Sequence, residues 1–362
     1  MYKQIKLQEH HIIAGIDSLS VFQALFDSGD YENRSFFILV DENTEKLCLN
    51  KLKQYIPAGK KTPVISIPAG EQNKTMETTE KIWQFLTLHH ADRGSVLINL
   101  GGGVTTDIGG FAASAYKRGI SFINIPTSLM GMVDAAIGGK TGVNFNGLKN
   151  IVGVFSQPDS IYIFPEFLET LPEQELKSGY AEIVKYALIN ENNLWEVMKN
   201  KRINDFDTLE DLIAFSVLIK AEIVEQDPEE VGIRKTLNFG HTFGHALESF
   251  WHKNERAISH GAAIAAGMIC ESYLSSKINN LTDEALKDIQ TTINKNYSWP
   301  SLRKEDIPEL IHIMLNDKKN QNAKVNCSLL EEPGQCRYDQ LIPEELLKEA
   351  LNHFINEQTN NQ

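Results

Sequence analysis

Three histidines carry the most legible chemistry in this chain. The segment LNFGHTFGHALE, residues 237–248, sets His241 and His245 four positions apart, and His260 follows in a His-Gly pair. Side chains at i and i+4 share one face of a helix. Imidazoles held this way bind a divalent metal, or one binds metal while its neighbour handles protons. The alternative is two polar residues on a solvated helix face. Gly240 and Gly244 tilt the balance, because a glycine within a helix costs roughly 1 kcal/mol and its presence points to close backbone approach or a bound group.

A carboxylate is at hand upstream. In SGYAEIVKY, Glu182 and Lys185 share a helical face by i,i+3 spacing, either as a surface ion pair or as a metal ligand beside a substrate lysine. Two histidines and one carboxylate leave coordination positions open, the pattern of a catalytic zinc site. Lys220, Glu230, Arg234 and Asn238 lead into the histidine segment. Asp134, Lys140, Asn144, Lys149 and Asn150 fall in a Gly-, Lys- and Asn-rich stretch. Its lysines suit a phosphate or carboxylate as point charges, or they belong to a solvated loop.

These residues need elements to position them. Arg34–Val40, Thr62–Ile67, Ser95–Leu100, Ile120–Ile125 and Ser160–Phe164 read as buried strands, with helical patterns at Met76–His90 and Thr105–Lys117 between them. Such alternation implies a mostly parallel sheet flanked by helices. From Leu171 the pattern turns helical: Pro172–Asn190, Leu209–Gln226, Thr236–Trp251, Gly261–Lys277, Ile307–Asn316 and Glu344–Asn356, with little strand signal. The expected class is α/β, a sheet domain over residues 1–170 and an all-helical domain over 171–362.

Strand SVLINL runs into Gly101-Gly102-Gly103-Val104-Thr105-Thr106-Asp107, where glycines between a strand and a helix let backbone amides approach a phosphate. The usual GxGxxG fingerprint is absent, and a plain glycine-rich turn is the alternative. Ala69-Gly70-Glu71-Gln72-Asn73-Lys74 and Pro126-Thr127-Ser128 also follow strands, at the carboxyl ends where open α/β sheets bind ligands. Asp41, closing the strand RSFFILV, is either an acceptor for a ribose hydroxyl or a helix N-cap.

Composition narrows the class. A net charge of −13 over 362 residues argues against a general nucleic-acid binder, although a local Lys/Arg cluster still serves an anionic substrate. Four cysteines form no CxxC motif, which points to a reducing compartment. The N-terminus lacks an apolar signal core and no apolar run reaches membrane length, so a cytoplasmic protein is expected.

Together the stretches GGGVTTDIGGFAASAYKRG, IPTSLMGMVDAAIGGKTGVN, GLKNIVGVFSQP, SGYAEIVKY and RKTLNFGHTFGHALE resemble the 3-dehydroquinate synthase family of the shikimate pathway, from about Asp41 to Lys319. The resemblance implies a Rossmann-like NAD-binding domain, a helical metal- and substrate-binding domain, and an active site in the cleft between them. The wider fold would be similar to that of glycerol and iron-dependent alcohol dehydrogenases. It implies Glu182, His241 and His260 as metal ligands, usually for zinc with cobalt as a substitute, and His245 as a proton-handling residue in contact with substrate. Lys140, Asn150, Lys185, Lys220, Arg234 and Asn238 match substrate-binding positions, with Asp134 and Glu230 as polar active-site residues. Asp41, Ala69, Gly70, Glu71, Gln72, Asn73, Lys74, Gly103, Val104, Thr105, Thr106, Asp107, Thr127, Ser128, Lys140, Lys149, Phe167, Leu168, Glu169 and Thr170 fall on the NAD side. Arg118 resembles an arginine that reaches a neighbouring subunit's site, implying a homodimer, and one lysine of Asp317-Lys318-Lys319 is expected on the substrate phosphate.

The implied reaction is that of a phosphorus–oxygen lyase. It takes 3-deoxy-D-arabino-heptulosonate 7-phosphate to 3-dehydroquinate and phosphate, with NAD regenerated at each turnover. Departures from the pattern are Ser128 for a threonine, Ala262 where an acidic residue commonly follows the His-Gly pair, and NQNAKVNCSLLEEPG after Lys319. The rival readings are another sugar-phosphate cyclase, a metal-dependent polyol dehydrogenase on the same fold, and a catalytically silent NAD-binding module.

Overall fold

The computed structural model describes residues 2–7, 10–15, 18–26, 29, 31–57, 61–146, 148–191, 193–315 and 325–360. Two compact units emerge, one of residues 1–172 with 209–225, the other of 173–208 with 226–362.

The first unit is built on β1 (Tyr2–Leu7), β2 (His10–Gly15), α1 (Ser18–Leu25), β3 (Phe36–Asp41), α2 (Glu42–Leu47), α3 (Leu49–Lys53) and β4 (Val64–Ile67). It continues through α4 (Met76–Leu88), β5 (Val96–Gly101), α5 (Gly103–Ala115), β6 (Ser121–Pro126), the β7 (Lys140–Phe145) and β8 (Leu148–Phe155) hairpin, and β9 (Ser160–Ile163). The main sheet runs β1-β2-β9-β6-β5-β3-β4, parallel from β2 to β4, with β1 antiparallel at its edge. Burial explains the sequence pattern: Phe36–Val40 and all of β5 are buried, so these strands read as continuous apolar runs instead of alternating ones. Helix α4 places Ile82 and Leu86 against Ile108, Phe111 and Ala112 of α5, and Trp83 Nε1 donates to the Ala112 carbonyl at 2.9 Å. The strands and helices read in this half appear within two residues of their expected ends. The stretch around Lys140 and Lys149, read as phosphate-directed lysines or a solvated loop, is the β7–β8 hairpin.

The chain then forms α6 (Glu173–Ile189) and α7 (Leu194–Met198), and returns to the first unit as α8 (Glu210–Gln226). The second unit resumes with α9 (His241–Lys253), α10 (His260–Ile278), α11 (Asp283–Asn296), α12 (Ile307–Leu315), β10 (Val325–Glu332), β11 (Gln335–Ile342) and α13 (Glu344–Asn360). It is helical as read, with one addition: β10 and β11 pair antiparallel around Pro333-Gly334, whose φ of +103° at Gly334 suits the turn. That turn signal was present in EEPGQ, but the flanking runs mix charged and apolar residues too irregularly to announce strands. Among the described residues no helix is long and apolar enough to cross a membrane.

Helices α9 and α10 touch backbone to backbone. A Cβ on Gly267 would stand 1.9 Å from the Gly240 carbonyl oxygen and 2.6 Å from the Gly244 nitrogen, and one on Gly244 would stand 3.0 Å from Ile264 Cα. Gly240 also needs its φ of +81° to open α9. Gly267→Ala should therefore lower stability by about 1–3 kcal/mol, the usual cost of overpacking, seen as a lower urea midpoint. An unchanged midpoint would contradict the close approach.

Candidate active site

In the first unit the site begins where β5 meets α5. The Gly102 N-cap offers no side chain, so the first turn of this 13-residue helix presents its amides without a side-chain cap. Packing is closed to a side chain at two of these glycines, since a Cβ on Gly101 would meet Thr105 Oγ1 at 2.4 Å and one on Gly103 would meet Ala135 Cβ at 2.9 Å, while one on Gly102 would sit tightly, 3.2 Å from Ser128 Oγ. The β6 exit adjoins this turn, since Thr127 N donates to the Gly101 carbonyl at 3.0 Å. Asp41 is an N-cap, accepting from Asn43 N and Thr44 N, while its second oxygen accepts from Thr105 Oγ1 at 3.1 Å.

Beside this turn lies a polar network. Lys74, 2% exposed, donates to Asp107 and to Asn150. Asn150, at φ +52°, donates its backbone N–H to Asn144 Oδ1 at 2.9 Å, and Asn144 Nδ2 donates to Glu71 Oε1 at 2.9 Å. Asn144 N also donates to the Lys74 carbonyl at 2.8 Å, so the β7–β8 hairpin is tied to the 71–74 turn. Lys220, on α8, donates to the Asp134 carbonyl at 2.6 Å and pairs with its carboxylate at 2.5 Å. Desolvation lifts the Asp107 carboxyl to about 6, against the pull of Lys74, although 19% of its side chain stays exposed.

The second unit holds the histidines. His241 opens α9, His245 follows one turn on, and His260 opens α10. The ring centroids lie 5.3 Å (His241–His245), 5.9 Å (His241–His260) and 5.6 Å (His245–His260) apart. Each ring offers a nitrogen within 4.8 Å of the others, a spacing that can hold a metal ion. Glu182 on α6 is fully buried, with Oε1 3.7 Å from His241 Nε2. Lys185 makes an ion-pair contact with Oε2 but not with hydrogen-bond geometry, and among the described residues neither oxygen of Glu182 has a hydrogen-bond partner. A buried carboxylate left so is costly, and a cation beside Glu182 and His241 would compensate it. The group spaced to hold a metal is His241, His245 and His260, so by spacing His245 stands where the resemblance implied Glu182.

The approach to α9 is shaped by Asp227, which accepts from Val231 N at 3.0 Å, Gly232 N at 2.7 Å and Arg234 N at 3.0 Å. Desolvation pushes the Asp227 carboxyl up, but these amides and the Arg234 guanidinium outweigh it and hold it below the ordinary carboxylate range. The loop so tied buries Arg234, whose Nη1 donates to the Pro228 carbonyl at 2.6 Å. Glu230, at φ +61°, accepts from Asn238 Nδ2 at 2.8 Å.

Thus Glu71, Lys74, Asp107 and Asn150 come together, as do Asp134 with Lys220, Glu230 with Asn238, and Glu182 and Lys185 with the histidines. Phe167 is a core residue stacked edge-on against Phe164, and Glu169 pairs with Lys51 at 3.8 Å. Arg118 is exposed at φ +70° in the turn after α5. Asp317, Lys318 and Lys319 lie outside the described residues. Sequence reasoning passes over Asp227, Glu248 and Glu271, because lone acids in helical or loop segments carry no spacing signal.

The fold has solved counterparts. The chain superposes on 2-deoxy-scyllo-inosose synthase in complex with carbaglucose-6-phosphate, NAD+ and Co2+, with TM-score 0.86 and 23% identity over 98% of this chain and 100% of the other. It matches a 2-epi-5-epi-valiolone synthase from Streptomyces hygroscopicus bearing NAD+ and Zn2+ at TM-score 0.81 and 24% identity, over 98% and 99% of the two chains. A probable glycerol dehydrogenase from Sinorhizobium meliloti follows at 0.61 and 13%, over 96% of each. The fold is therefore one shared with these two synthases and with a probable glycerol dehydrogenase. Sequence narrows it further: family models described as 3-dehydroquinate synthase N-terminal and C-terminal match residues 64–178 and 179–320. A 3-dehydroquinate synthase of Parabacteroides distasonis is 42% identical over 96% of this chain and 98% of its own length, and one of a Sulfurovum species is 40% identical over 81% and 83%. The chain belongs to the 3-dehydroquinate synthase family.

The Asp107–Lys74 pair is testable by titration. With its folded value above the ordinary 3.8, Asp107 contributes stability that is complete below pH 3.8 and lost as pH rises through about 6. Carboxyl 13C shifts should show Asp107 titrating near 6, and Lys74→Met should move it higher. A midpoint unmoved or lowered in the variant would refute the assignment.

Proposed function

We propose that this member of the family converts 3-deoxy-D-arabino-heptulosonate 7-phosphate to 3-dehydroquinate and phosphate, with NAD bound in the first unit and a divalent metal, zinc or cobalt, in the second. The observation that carries the reading is Glu182: a buried carboxylate without hydrogen bonds, next to a histidine cluster, on a chain of this family. The donor set of one carboxylate and imidazoles suits such a metal. The uncapped first turn of α5, with Gly102 and Gly103 where side chains would intrude, suits a dinucleotide phosphate.

When bound, the metal supplies Lewis-acid polarisation of a ring hydroxyl and NAD supplies reversible hydride acceptance. The chain's own groups do the rest. Lys140, Asn150, Lys185, Lys220, Arg234 and Asn238 bind the anionic substrate, which carries both carboxylate and phosphate, and fixed cations stabilise charge that develops as phosphate departs. Burial of Lys185, Lys220 and Arg234 excludes water from these charges and strengthens them. Asp134 orients the Lys220 ammonium and Glu230 orients the Asn238 amide, so both present fixed donors. His245, on the face shared with His241, accepts and returns a proton.

Purified protein given the heptulosonate phosphate, trace NAD and zinc or cobalt should release phosphate and form dehydroquinate without net NADH. Stoichiometric NADH would indicate a polyol dehydrogenase instead. His241→Ala and Glu182→Gln should lose metal and activity together, while His245→Ala keeps metal and turns over slowly. Metal loss in His245→Ala with retention in Glu182→Gln would give the third ligand position to His245.

We propose also that the protein is a homodimer. Phe145, Leu148, Ile151, Val154 and Phe155 leave exposed apolar side chains on both faces of the β7–β8 hairpin, which supports a covering partner. Light scattering should give twice the 40.7 kDa chain mass. If Arg118 serves the partner's site, mixing Arg118→Ala with His241→Ala chains restores about a quarter of the activity, since half the random pairs hold one complete site. A monomer, or no complementation, would remove the shared-site reading.

A further inference from the structure

The two histidines that open α9 and α10 are each held at Nδ1. His241 Nδ1 lies 3.2 Å from the Phe239 carbonyl oxygen, two residues back in the same turn. His260 Nδ1 instead lies 3.1 Å from Glu248 Oε2, whose side chain is only 10% exposed. Glu248 sits on α9 three residues beyond His245 and seven beyond His241, so one face of this helix carries all three. Ala262, which follows the His-Gly pair, has only a methyl side chain, and its backbone is engaged by Trp299 Nε1 and Ser259 Oγ.

A neutral imidazole has one N–H and one lone pair. A carbonyl or carboxylate at Nδ1 accepts a hydrogen bond, so the proton resides there and the lone pair is left on Nε2. For His241, Nε2 is the atom that faces Glu182, 3.7 Å away. The His241 arrangement needs only its own backbone. His260, at the first position of α10 and with 36% of its side chain exposed, is oriented from a different helix.

We infer that Glu248 is a positioning residue for the metal. It holds His260 as the Nδ1–H tautomer, fixes the ring plane and raises the basicity of Nε2, without ligating the ion itself. The inference rests on the metal reading proposed above, with His260 as a ligand.

The test uses the full-length chain stripped of metal, with zinc titrated against a competing chromophoric chelator. Glu248→Ala should weaken zinc binding 10- to 100-fold, the usual effect of removing an outer-shell carboxylate, with the melting temperature of the metal-free protein unchanged. Glu248→Gln should fall between it and the parent, since the amide oxygen still accepts from Nδ1–H. In the metal-free parent at a pH where imidazole is neutral, 15N shifts should show His260 protonated at Nδ1. An Nε2–H tautomer there overturns the inference even if Glu248→Ala fails to fold, as does parental zinc affinity in Glu248→Ala. His241→Ala separates the two levels. If it binds zinc as the parent does, the metal site itself is misplaced; if it loses zinc while Glu248→Ala does not, only the role of Glu248 is lost.

Discussion

Helix α9 can carry its histidines only because α10 meets it without side chains at the crossing. Gly240, Gly244 and Gly267 bring the two backbones into contact, and the contact places a buried carboxylate, Glu271 of α10, at the start of α9. Glu271 accepts from Gly240 N at 2.7 Å, Thr242 N at 3.2 Å and Phe243 N at 3.4 Å. It does from a neighbouring helix what an N-cap side chain ordinarily does, with the helix dipole favouring the negative charge. A local cap at 240 is impossible because that position must be a left-handed glycine. His241 is the next residue, so the constraint that fixes the helix start also fixes the first histidine. Gly261 extends the same logic to α6, where a Cβ would stand 2.0 Å from the Ser178 carbonyl, and Gly261 N donates to Ser178 Oγ at 3.0 Å. That contact sets His260 near the helix bearing Glu182.

The second organising fact is how charge is buried. Lys74, Lys185, Lys220 and Arg234 are each at most 6% exposed, an arrangement that soluble proteins avoid unless the charges are paired or functional. Three stand against a carboxylate: Asp107, Glu182 and Asp134. Such pairs contribute little net stability, because desolvation offsets attraction. Burial without compensation in stability is the cost of placing these cations inside the molecule, and desolvation pushes the Asp107 carboxyl up in spite of Lys74.

Much of this was legible before any coordinates. The parallel strands announced themselves through continuous apolar runs, because both faces of β3 and β5 are covered. Helices of the second unit showed their period, and the 241/245 pair declared a shared helical face. The resemblance collected Glu182, His260 and the buried cations from distant segments. Hairpins β7–β8 and β10–β11 escaped notice, since the first is rich in glycine with an exposed face and the second mixes charge with apolar residues. Asp227 and Glu271 escaped because their work is to accept backbone amides. Any acid looks alike until the chain returns to it.

The sequence by itself determined the periodicities, and so the class of each main element, and the inventory of metal-capable, cationic and glycine positions. Those depend on neighbours within a few residues. Only the tertiary structure decided which side chain faces which: that Asp41 is a cap, that α8 sits with the sheet unit, that Glu182 is buried without hydrogen bonds, and that Glu248 holds His260. Apart from the local Asp41 cap, these are contacts between residues brought together by packing. At the α9–α10 and α6–α10 crossings the approach is set by glycines rather than by spacing along the chain.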